Sequence, residues 1–171
     1  VSKSAVGREG AETMQVSPIG IVHSTFCEPE GTPIQAVASI GSKAIIEVYD
    51  EYTEGLKDID GFSHLILLYH FHQIKKAKLT VKPFLDDHTH GIFATRSPAR
   101  PNPIGFSVVR LKMVDENLLY VEDVDILDQT PVLDIKPYIG EFDHRITEKI
   151  GWFQKSIHKM HAVKDDGRFK G

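Results

Sequence analysis

Between Thr95 and Gly105 the chain reads Thr95-Arg96-Ser97-Pro98-Ala99-Arg100-Pro101-Asn102-Pro103-Ile104-Gly105, and this segment restricts the fold more than any other. Each proline fixes its own φ at about −65° and pushes the residue before it out of the helical region. Ser97, Arg100 and Asn102 each precede a proline, so the segment is a bent, extended loop that no helix can cross. Residues 91–96 before it and 104–114 after it alternate apolar with polar and are rich in β-branched and aromatic side chains. That pattern predicts two strands joined at a rim. A loop so stiffened loses little entropy when Arg96 and Arg100 grip an anionic or planar partner. The plainer reading of the same spacing is a rigid surface turn.

The remaining elements are short and mostly extended. Residues 16–23 read as a strand that Pro18 suits to a sheet edge. Residues 26–35, with Pro29, Gly31 and Pro33, read as a loop, residues 43–49 as a strand, and residues 52–61 as an acidic connection with one helical turn. Residues 64–72 are apolar on both faces, as a buried central strand is. Further strands are expected at 79–82, 118–125 and 132–137. Ile146, Ile150, Phe153, Ile157 and Met160 are spaced by four and three, which predicts an amphipathic helix over 144–161, packed on the core or against a second copy. The whole reads as mainly β: a small antiparallel barrel or sandwich over 16–140, a frayed N-terminus over 1–15, and a C-terminal helix with a basic tail over 141–171.

At 171 residues one domain with one core is expected. No apolar run is long enough to span a membrane, and residues 1–15 lack the apolar stretch that directs secretion. Cys27 is the only cysteine, which rules out an internal disulfide and points to a reducing, cytoplasmic home. The net charge of −4 hides a segregation. Residues 47–60 are strongly acidic, whereas 72–82 carry Lys75, Lys76, Lys78 and Lys82 and residues 97–112 carry Arg100, Arg110 and Lys112, both without an acid. On one face these cations would guide a phosphate backbone; dispersed, they are ordinary solvated side chains.

Two His-x-His pairs, His70 with His72 and His88 with His90, have the residue type for zinc or iron if folding unites them, although nine histidines also pair by chance. Asp128 opens a turn, Asp128-Gln129-Thr130-Pro131, where its carboxylate either grips a ribose diol or ammonium group or bonds its own backbone. A Ser-His-Asp triad has serines available in Ser63, Ser97 and Ser107 but no Gly-x-Ser-x-Gly elbow, and no GxGxxG precedes a helix.

Taken together, Gly61-Phe-Ser-His-Leu65, Phe71-His-Gln73, Gly91-Ile-Phe-Ala-Thr-Arg-Ser-Pro-Ala-Arg-Pro-Asn-Pro-Ile-Gly105 and Asp128-Gln-Thr-Pro-Val-Leu-Asp-Ile-Lys-Pro-Tyr138 resemble the tRNA methyltransferase O (TsaA-like) family, in order, over residues 19–138. The resemblance implies a β-barrel that binds S-adenosylmethionine, commonly as a homodimer. It further implies methylation of N6 on the threonylcarbamoyl-modified adenosine beside the tRNA anticodon. Matched motif by motif, it implies cofactor contacts from Gln35, Ala36, Val37, His72, Gln73, Arg96, Phe106, Asp128, Gln129, Thr130 and Pro131. Lys75, Lys76, Lys78 and Arg100 are expected to hold the anticodon stem-loop, with Phe106 or Tyr138 stacking on a ring, and His72 and Asp128 have the chemistry of a general base. The other readings are an S-adenosylmethionine-binding protein without tRNA methylation and a His-ligated metal hydrolase. Family members of the bacterial type usually have Asp-Gly-Thr-Pro where this chain has Asp128-Gln129-Thr130-Pro131, and they usually carry a further C-terminal domain.

Overall fold

The computed structural model of the chain describes residues 14–33, 39–159 and 163–169. Six strands close into an antiparallel barrel: β1 (Gly20–Ser24), β2 (Lys43–Val48), β3 (His64–His70), β6 (Ile104–Asp115), β7 (Leu118–Glu122) and β8 (Thr130–Pro137), in the order β1-β2-β7-β6-β3-β8 and back to β1. Closure removes the sheet edge that the sequence reading had given to the first strand, which pairs with β2 on one side and β8 on the other. A separate two-stranded ribbon, β4 (Thr80–Val81) with β5 (His90–Gly91), stands outside it.

Alternation of side chains fills the barrel. Val22, Ile46, Leu65, Leu67, Val109, Leu119, Val124 and Val132 have no solvent exposure and pack as one cluster. Each such side chain contributes about 1.5–3 kcal/mol by leaving water. Strand β3 is buried on one face only: Leu65, Leu67 and Tyr69 point inward, while Ile66 and Leu68 are half-buried outside. Two glycines are forced by close approach. A Cβ on Gly20 would lie 2.3 Å from the Glu47 carbonyl oxygen. A Cβ on Gly105 would lie 2.2 Å from Cε2 of Tyr69, its partner across β3 and β6, so only glycine lets that ring lie flat over the strand.

Two further expectations fail. Residues 92–94 form a 3-10 turn rather than continuing a strand, with Thr95 Oγ1 and the Thr95 amide both donating to the Ile92 carbonyl. The amphipathic helix over 144–161 is absent among the described residues. In its place lie one helical turn, α1 (Gly140–Asp143), and 3-10 pieces at Gly151–Lys155 and Ile157–Lys159. Gly151 sits at φ +59 and interrupts any helix there, and Ile146 is 91% exposed rather than packed. β-branched isoleucines add little helical preference to hold the pattern together. Met160 lies outside the described residues, as does most of the N-terminal stretch expected to fray.

Candidate functional site

A cleft of about 460 Å³ opens where β3 and β6 reach the barrel rim, within the roughly 300–1,000 Å³ span of small-molecule sites. Its floor is the buried Tyr69 with Ile126 and Thr130, and its walls come from three segments distant in sequence. One is the proline loop. Arg100 Nη1 donates to the carbonyls of Ile92 (3.2 Å) and Thr95 (2.8 Å), its guanidinium lies 5.8 Å from the Phe93 ring, and the Lys78 amide donates to Ala99. The second is the loop of Pro29, Thr32 and Pro33. The third is the C-terminal segment, which the second holds by backbone pairing: Gly31 donates to Asp165 (2.8 Å) and Asp165 to Thr32 (2.9 Å). Phe169 anchors that strap in a second small core with Val81, Ile92 and Ala99.

Polar groups converge on this space. Ser107 Oγ donates to Asp125 Oδ1 (2.6 Å), so its one proton is spent and Tyr69 must donate to Ser107 (3.0 Å); the chain of bonds orients the Asp125 carboxylate toward the cleft it lines. Burial first, and the Asp125 charge second, hold the Tyr69 phenol above its ordinary value. Burial, with His70 beside it, lowers His72, whose Nδ1 lies 3.4 Å from Thr130 Oγ1. Burial raises Asp165. Ser97 Oγ is buried in the wall with no hydrogen-bond partner among the described residues.

Of the residues singled out in the sequence, His72, Gln73, Arg96, Phe106, Thr130 and Arg100 line the cleft. Asp128, Gln129 and Pro131 do not. Asp128 Oδ1 accepts the Ser24 amide (3.0 Å) and ties off the end of β1, while Pro131 pairs with Ile21. Gln129 takes the left-handed φ of +60 that glycine would take more cheaply. Gln35, Ala36 and Val37 lie outside the described residues. Lys75, Lys76 and Lys78 are exposed just past Ile74 at the cleft wall. Lys82 instead pairs with Asp87, and Arg110 and Lys112 face Asp123 and Glu122 across β6 and β7, which splits the supposed basic stripe. Tyr138 packs edge-on against His64, away from the cleft lining. Among the described residues no group of three or more His, Cys, Asp or Glu side chains could hold a metal ion. Cys27 is exposed, and no described helix is long and apolar enough to cross a membrane. Sequence reasoning missed Asp125, Trp152, Phe153 and Asp165, all of which line the cleft.

The donor set fits a cationic, aromatic-ringed cofactor such as S-adenosylmethionine: apolar walls for the ring, carboxylates for positive charge, and a buried hydroxyl awaiting a partner. Residues 21–144 match the model of the tRNA-methyltransferase O N-terminal domain. A probable S-adenosyl-L-methionine-binding protein of Pyrococcus abyssi is 57% identical over 152 residues, covering 89% of this chain and 83% of that protein. An S-adenosyl-L-methionine-binding protein of Archaeoglobus fulgidus is 42% identical, covering 76% of this chain and 93% of that one. The mouse tRNA (adenine(37)-N6)-methyltransferase is 36% identical, but the match takes in only 32% of its length. A crystal structure of TrmO from Pseudomonas aeruginosa superposes with a TM-score of 0.69 at 36% identity, over 82% of this chain and 63% of that one. The chain thus spans less than two thirds of that solved structure. With the domain model matched over most of the barrel and its rim, this chain belongs to the tRNA-methyltransferase O family.

Proposed function

We propose that this protein is an S-adenosylmethionine-dependent methyltransferase acting on N6 of threonylcarbamoyl-adenosine beside the anticodon of tRNA, working in the cytoplasm as a homodimer. The observation that carries the reading is that His72, Gln73, Arg96, Phe106 and Thr130, far apart in sequence, share one cleft. When bound, the cofactor supplies an electrophilic sulfonium methyl. The chain's task is then alignment: the floor of Tyr69 and Ile126, the proline loop and the strap hold the reactants and keep water out. Methylation of N6 would require loss of the proton that N6 carries. His72, which burial keeps neutral more readily, and Asp125, fixed by Ser107, both line the cleft and have the chemistry to take it. Asp128, occupied with Ser24, is poorly placed for that role. Exposed Lys75, Lys76 and Lys78 lead away from the cleft and suit the phosphates of the stem-loop.

The second reading, a binding protein that holds the cofactor without methylating tRNA, is favoured by the names of the Pyrococcus and Archaeoglobus relatives. Calorimetric titration with S-adenosylmethionine followed by methyl transfer to tRNA separates the two. Binding with transfer supports the enzyme, binding without transfer supports the second reading, and absence of binding overturns both.

A further inference from the structure

We infer that Trp152 and Phe153 form a stacking wall for the target purine of the RNA, a subsite that rests on the methyltransferase reading and lies beyond residues 21–144, where the family match ends. The two rings lie nearly parallel, 23° apart with centroids at 3.8 Å, and His90 lies against Trp152 at 4.6 Å and 17°. The stack is braced. Asp86 Oδ2 is 3.1 Å from His90 Nε2, and the indole Nε1 donates to the Ala94 carbonyl at 2.9 Å. That bond uses the only donor of the indole, and its two faces lie against Phe153 and His90, so what the wall offers an incoming group is the outer π face of Phe153, the natural partner of a flat ring.

Position and charge select the occupant. Trp152 and Phe153 are half-buried whereas Tyr69 and Thr130 on the floor are buried, so the rings stand at the edge of the cleft, where a second reactant enters. Arg96 and Arg100 line the same cleft and Lys155 is exposed on the same turn, which sets cations beside the rings as a polyanion requires. Only an unstacked base presents its face to such a wall, and RNA loops supply unstacked bases.

Trp152 is the only tryptophan in the chain, so its emission reports on the wall directly. The probes are a synthetic anticodon stem-loop with adenosine next to the anticodon, the same stem-loop abasic at that position, and S-adenosylmethionine alone. Each is titrated into the wild-type protein and into Phe153→Leu, which keeps apolar volume but removes the ring. The expected result is a change in Trp152 emission with the adenosine stem-loop. The abasic one should bind roughly five- to a hundredfold more weakly, the range that base–aromatic stacking commands. In Phe153→Leu that preference should shrink while calorimetric affinity for S-adenosylmethionine holds. Equal binding of the two stem-loops, or an emission change driven by S-adenosylmethionine alone, overturns the inference while leaving the methyltransferase reading intact. Failure of every stem-loop to bind the wild-type protein overturns the tRNA reading, and the inference with it.

Discussion

Ser97→Ala should raise stability and weaken cofactor binding, two effects of opposite sign from one lost oxygen. Ser97 is 7% exposed, and its Oγ has no partner among the described residues, although its backbone amide is held by Thr95 Oγ1 at 3.2 Å. A buried hydroxyl without a partner costs about 1–3 kcal/mol. Alanine removes that cost, keeps the backbone bond, and leaves a gap of one small atom. Allowing for lost contacts around it, a gain of about 1 kcal/mol is expected, a rise in Tm of roughly 2–4 °C for a domain of this size. With S-adenosylmethionine bound, the same hydroxyl is expected to gain a hydrogen bond worth about 0.5–1.5 kcal/mol, so the variant should bind about three- to tenfold more weakly. Thermal melts without ligand and calorimetry with S-adenosylmethionine read the two signs separately. A lower Tm would mean that the hydroxyl is satisfied within the fold. An unchanged Kd would mean that it faces away from the cofactor.

Gly105→Ala drives a methyl into the Tyr69 ring and should cost about 1–3 kcal/mol or more by overpacking, read as a lower urea midpoint. Tyr69→Leu in the same chain should recover part of the loss, and a harmless single variant would refute the close approach. Gln129→Gly should stabilise by up to about 1 kcal/mol, because the left-handed φ of +60 costs a non-glycine residue and the two side-chain bonds forfeited, at 3.3 and 3.4 Å, are long. A lower Tm would show those bonds to matter more than the backbone. His72 gives a pH signature. Burial holds it below its ordinary value of 6.5, so as pH falls through 6.5 the unfolded chain takes up a proton before the folded one does. Stability is therefore fully present above 6.5 and declines below it, with a slope under one proton because the ring is partly exposed. His72→Gln should flatten the Tm profile between about pH 5 and 7; an unchanged slope assigns the effect to another group.

The barrel was legible because period-two alternation depends only on neighbours in sequence. Residues 43–48 and 104–111 show it plainly. Apolar Ile66 and Leu68 imply burial on both faces of β3, although both face outward and keep some exposure. The terminal stripe misled for a related reason. Spacing of four and three says nothing of a glycine at φ +59, which is a tertiary choice. The proline loop announced itself, yet the role of Arg100 as a clamp on the Ile92 and Thr95 carbonyls did not, since the sequence does not show where the chain turns back. The strap was hidden by distance: Gly31 and Asp165 are far apart in sequence and meet only through the fold between them. Its one sequence signal is Phe169, an isolated large apolar residue near the end of a polar tail. Asp128 drew attention by residue type, whereas Asp125 is the carboxylate that lines the cleft.

The most direct test of the account is nucleoside mass analysis of threonylcarbamoyl-modified tRNA after incubation with this protein and S-adenosylmethionine carrying an isotope-labelled methyl, with Arg96→Ala in parallel. The account predicts label on N6 of the threonylcarbamoyl-adenosine in the wild-type reaction and its loss in the variant. Label on another nucleoside, or none despite calorimetric binding of the cofactor, would contradict it.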